Sequence, residues 1–138
     1  MNKPTHTLLT EHCQAGLFRV SQSQLGALQK AAAALPMLVH EVDIGCQPVH
    51  LALDTLGKAL HFPAWYGANL DALCDCLSDP DSFPAPDGFL LVLRGHSQTL
   101  AALAEALRAA AEARNTAKTP AWILLLDDLT EIPPLPAA

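Results

Sequence analysis

Basic residues are scarce in this chain of 138: eight Lys and Arg stand against fourteen Asp and Glu, a formal net charge of −6. None falls between Lys58 and Arg94. Neutralising a phosphate backbone needs clustered cations, so nucleic acid is excluded as a direct partner, and the surplus of acid suits a partner that is itself basic. No apolar run approaches the ~18 residues needed to span a bilayer, so no membrane is expected. The N-terminal MNKPTHTLLTEHC lacks the apolar segment of a secretory signal, which points to the cytoplasm. Aromatics are few, 5% of the chain with a single Tyr, so a place where they cluster is informative.

Chemical motifs are missing as well. The four cysteines are Cys13, Cys46, Cys74 and Cys76. Zinc sites pair one C-x2–4-C with a second, and redox dithiols use C-x-x-C; Cys74-x-Cys76 is neither. The two cannot bridge each other on one helix, so free thiols in a reducing compartment are expected. There is no H-E-x-x-H, G-x-S-x-G, Walker A or G-x-G-x-x-G. No catalytic residue, metal or cofactor is therefore assigned. His40 is expected inside, as a satisfied core residue, and Asp127-Asp128 at a solvated strand end.

What is present is a core and an alternation of elements. Half of the residues are hydrophobic, enough for one domain without staples. Leu17 to Val20 reads as a short strand. Ser21 and Gln24 form a capping box ahead of a helix carrying Leu25, Leu28, Ala32 and Leu35, which Pro36 ends. Residues 38–44 alternate: Leu38, His40, Val42 and Ile44 face one way. Pro48 opens a helix with Val49, Leu53, Leu56 and Leu60 on its buried stripe, stopped at His61-Phe62-Pro63. Residues 79–88 are a proline-rich loop. FLLVL (89–93) and WILLL (122–126) are continuous apolar runs, as in strands covered on both faces. Between them, residues 97–114 form an alanine-rich helix whose Arg108 and Arg114 suit the dipole near its end. The fold class is α/β: a mainly parallel sheet of three to four strands covered by helices.

Residues 62–79, FPAWYGANLDALCDCLSD, stand apart. Asn69 is a natural cap for a short helix. On a 3.6-residue period Leu70, Leu73 and Leu77 share the core side, and Asp71, Cys74, Asp75 and Ser78 share the exposed side. The dipole favours Asp71 in the first turn by roughly 0.3–1 kcal/mol. Like charges at i, i+4 cost roughly 0.2–0.5 kcal/mol, and no cation nearby in sequence offsets that. A solvated helix face explains two aspartates without any function. Trp65 and Tyr66 beside them are what an interface anchor looks like, or else core.

The run from Pro63 to Leu77 closely resembles the signature of the barstar family, cytosolic bacterial inhibitors of barnase-type ribonucleases. It shares the aromatic pair, the glycine, the capping asparagine, LDAL, both aspartates and the following cysteine. Strong similarity covers about residues 61–79; element order agrees over about 37–128. The resemblance implies a single barstar-like domain, with 1–36 as an N-terminal extension, 37–128 as the core unit and 129–138 as a tail. It implies a non-enzymatic inhibitor, monomeric in function, whose acidic helix and aromatic loop occlude the active site of a basic, extracellular-type ribonuclease. The partner-binding residues it implies are Trp65, Tyr66, Gly67, Asn69, Asp71, Cys74 and Asp75. Asp75 would be the main charge, Asp71 its companion and Trp65 a stacking aromatic, with Gly67 and Asn69 shaping and capping the loop. Cys74 stands where the family often has tryptophan, and Ala109, with Glu112 a turn away, where it often has glutamate. Both departures keep an alternative open: an immunity or interaction module that binds another basic protein or toxin. A thiol enzyme built on Cys74 is disfavoured, because neighbouring aspartates oppose a thiolate.

Overall fold

The structure, a computed structural model, describes residues 9, 15–126 and 132–134. Cys13 and Asp127-Asp128 lie outside the described residues.

The two apolar runs form the centre of a sheet. Strands β3 (Phe89–Arg94) and β4 (Ala121–Leu125) pair in parallel, Leu91 opposite Ile123, and all five residues of β4 are buried. Two shorter strands flank them, β1 (Leu17–Arg19) against β4 and β2 (Leu38–Asp43) against β3. The order is β1-β4-β3-β2, and every pairing is parallel. Alternate residues of a strand face opposite ways. Leu91, Leu93, Ile123 and Leu125 therefore enter one apolar layer, and Leu90, Val92, Trp122 and Leu124 the other.

Each layer is closed by helices. The first lies under α2 (Val49–Ala59), α3 (Leu70–Ser78) and α4 (Ser97–Thr116). The second lies under α1 (Gln22–Ala33), through Leu25, Leu28 and Ala32. Trp122, fully buried, donates its indole N–H to the Leu9 carbonyl at 2.9 Å and packs on Phe18 with ring centroids 5.7 Å apart. The expected capping box starts α1: the Ser21 hydroxyl accepts from the Gln24 N–H, and the Gln24 side chain accepts from the Ser21 N–H. Pro48 is the N-cap of α2, one place before the expected first turn.

His40 is not the core residue that strand alternation predicts. It is half-buried on an edge strand, its ring 5.7 Å from Phe83, with no side-chain hydrogen bond among the described residues. The start of β2 is thinly covered, and Leu38 and Val39 are exposed there. Burial, then the neighbouring His61, lower the pKa of His40.

Candidate functional site

After α2 the chain turns sharply. His61 takes a left-handed conformation, φ 57°, and the Phe62 N–H returns to the Gly57 carbonyl at 3.0 Å. The Tyr66 N–H closes a turn on Pro63, also at 3.0 Å. Tyr66 then fastens the loop to α2. Its hydroxyl donates to the Leu53 carbonyl at 2.8 Å and its ring meets Phe62 edge-on at 5.0 Å. It also lies over Gly57, where a Cβ would come within 2.5 Å of the ring. Gly57 is therefore the side-chain gap into which the aromatic fits. Of the aromatic pair, Tyr66 points inward as an anchor and Trp65 is left 57% exposed.

Burial first, then the negative groups Cys76 and Asp54, push the Tyr66 phenol up to about 12 from 10.0. The neutral form is the one the fold favours. Its contribution to stability is therefore complete below pH 10 and is lost as pH rises through the interval to 12. The chain has one tyrosine, so ultraviolet titration reads this group alone. Ionisation is expected near pH 12 in the folded protein; a midpoint near 10 in folded protein refutes the anchored position.

Two further residues set the start of α3. Ala68, rather than Gly67, takes the left-handed conformation, at φ 51°. A Cβ in that region costs roughly 1–2 kcal/mol, held here by the structure on either side. Asn69 caps the helix as expected, its side-chain oxygen accepting from the Ala72 N–H at 2.8 Å. The exposed loop and the first turn are thereby fixed together.

The helix turns Ala72, Leu73, Cys76 and Leu77 inward, and Asp71 and Asp75 outward. Among the described residues neither carboxylate has an ion-pair partner; the cations that pair do so with Asp54, Glu41 and Glu105. Three residues depart from the helical-wheel expectation. Leu70, assigned to the core side, is 41% exposed. As the first helical residue its side chain leans back past the helix end, away from the core. It lines an open groove of about 730 Å³ with Val49, His50, Leu53, Ala68, Asn69 and Asp71. Cys74 and Ser78, assigned to the exposed side, are half-buried, because α3 is flanked by both α2 and α4. The Ser78 hydroxyl turns back to the Cys74 carbonyl at 2.7 Å. Burial, then Asp75 and Asp71, push the Cys74 thiol up, so it stays protonated at neutral pH.

Trp65, Gly67, Asn69, Asp71 and Asp75 are thus exposed on one continuous loop and helix, with Cys74 and Tyr66 half-buried beneath them. Glu112 and Ala109 are exposed on α4. Sequence reasoning missed Leu70 as a surface residue and Arg114 as a buried one. Arg114 lies seven residues after Leu107 on the same helical stripe, which was the available signal.

The arrangement is an outward ridge of carboxylates, unpaired among the described residues, with an exposed aromatic beside it. No curated protein matches the chain. A family model described as Barstar (barnase inhibitor) matches residues 37–125, from the residue before β2 to the end of β4. That span contains the whole ridge and well over half of the sequence, and the chain belongs to the barstar family.

Proposed function

We propose that this protein is a non-enzymatic inhibitor that occludes the active site of a basic, barnase-type ribonuclease with the loop 61–69 and α3. Family membership supports a protein-binding role of the barnase-inhibitor kind. The observation that carries the finer reading is the pair Asp71 and Asp75, exposed one turn apart and unpaired among the described residues, beside exposed Trp65. Two carboxylates on a rigid ridge imitate consecutive phosphates of RNA. A cationic catalytic cleft attracts them at long range, and both are desolvated on contact. In this reading Asp75 meets the Arg and His groups of the cleft, Asp71 supports it, and Trp65 stacks on an imidazole. Tyr66, Gly67 and Asn69 hold the loop in shape, and Cys74 lies at the centre of the patch.

Titrating the chain into a barnase-type ribonuclease that cleaves a fluorogenic RNA tests the proposal. Activity is expected to fall to zero at one equivalent, and the association rate to drop as salt is added. Full activity at a large excess of the chain, against every ribonuclease of this type tried, counts against it. The second reading, a module for another basic toxin, is favoured by Cys74 at the centre of the patch and Ala109 on α4. Capture of a basic toxin without ribonuclease activity, together with no protection of RNA, would select it.

A further inference from the structure

α3 carries an electrostatic problem of its own making. Asp75 and the C-cap Asp79 sit at the negative end of its dipole, and its last turn contains no basic residue. A surface lysine there would cure the imbalance and also quench Asp75. The chain uses a different device.

Arg114 reaches α3 from the inner side of α4 and is only 3% exposed. Its Nε donates to the Leu77 carbonyl at 3.0 Å, and its Nη2 donates to the carbonyls of Asp79 at 3.2 Å and Phe83 at 2.6 Å. The rings of Phe83 and Phe89 lie 5.9 and 5.5 Å from the guanidinium carbon. No carboxylate pairs with it among the described residues. All of its hydrogen bonds there go to backbone oxygens, and the Asp79 carboxylate adds a longer-range attraction without an ion pair. The last turn is continuous with this contact, because the Asp79 N–H donates to the Asp75 carbonyl at 3.1 Å.

We propose that Arg114 is a positioning residue for the acidic ridge: an internal counter-charge that holds the last turn of α3 and the following loop while leaving Asp75 bare for its partner. The inference rests on the ribonuclease-inhibitor reading for what the ridge binds. A planar fork with several donors is what the geometry uses. Lysine, a point charge, keeps the cation but cannot reach the Leu77, Asp79 and Phe83 carbonyls with the same directed bonds.

The test compares the full-length chain with Arg114→Met and Arg114→Lys. Hydrogen exchange is read at the amides of Ser78 and Asp79 against those of β3 and β4, and inhibition is measured on a barnase-type ribonuclease. In Arg114→Met the α3 amides are expected to exchange at least about tenfold faster relative to the strands, with a similar rise in the inhibition constant, the scale of losing one hydrogen bond to a charged group. Arg114→Lys should recover part of both. Uniform loss of protection across α3 and the sheet, or a folded variant with unaltered inhibition, overturns the inference. If Arg114→Met does not fold, Arg114→Lys alone carries the same comparison. Faster α3 exchange in a chain whose unmodified form inhibits no such ribonuclease removes the inhibitor reading, and with it the ridge's proposed target, but leaves the positioning of α3 standing.

Discussion

An Asp75→Ala variant is expected to lose ~2–5 kcal/mol or more of binding to the ribonuclease proposed as its target, a range measured in part on barnase and barstar themselves and so carried over to this chain. Much of that loss is the cost of leaving the enzyme's cationic groups buried without an anion. The same change should leave the free protein slightly more stable. It removes a like charge one turn from Asp71, worth roughly 0.2–0.5 kcal/mol, and a carboxylate near the negative end of α3, worth roughly 0.3–1 kcal/mol when exposed. Binding and stability therefore move in opposite directions, which separates a site residue from a structural one. Calorimetric titration against the ribonuclease and urea unfolding of the free protein measure the two. A variant that binds as tightly as the unaltered chain would sink the decoy mechanism. One that unfolds more readily would show that Asp75 makes a contact inside the fold.

Removing residues 1–36 is expected to abolish the folded monomer, even though the family match starts only at residue 37. Those residues contribute β1 and α1, which close the second face of the sheet. Without them Leu90, Val92, Trp122 and Leu124, all fully buried, face water. At roughly 1.5–3 kcal/mol for each large side chain, the four lose roughly 6–12 kcal/mol of burial. That is the size of a whole domain's stability, about 5–15 kcal/mol. The indole N–H of Trp122 also loses its acceptor, the Leu9 carbonyl. Circular dichroism and size-exclusion chromatography of residues 37–138 give the answer. Aggregated or unfolded material is the expected outcome. A cooperative, monomeric fragment would show that the second face tolerates water, and that α1 is an accessory.

Much of this architecture can be read directly from residue order. The runs FLLVL and WILLL are apolar at every position because helices lie on both sides of the sheet, so neither face needs polar residues; the second strand itself spans one place earlier, Ala121–Leu125. The Ser21–Gln24 box and the Asn69 cap are local chemistry and form as expected. Strand order is another matter. Alternation of elements says that crossovers exist, while the placement of β1 beside β4 depends on which edges remain free once the centre has formed. His40 was misplaced for a related reason: alternation specifies a face, and only the neighbours on that face decide whether it is covered. Leu70 obeys the helical period and still lies outside, because a stripe stops being buried where its helix ends. Within the candidate site the carboxylates, the cap and the aromatics were legible. The left-handed turn at Ala68 was not, since alanine carries no signal for it. Arg114 was legible by spacing and hidden by its type, because an arginine near a helix end has an ordinary surface role.

The pairing of β1 with β4 has a temporal consequence. Leu17 lines up with Ile123, joining the first of the described strands to the last, and the Ile123 N–H bonds the Gly16 carbonyl at 2.9 Å. During synthesis β1 and the apolar side of α1 must wait for β3 and β4 to emerge from the ribosome. Contacts so distant along the chain close slowly and leave sticky surface open meanwhile. Assembly is thereby tied to translation through β4, so a product cut short before Ala121 cannot form the sheet that supports the ridge.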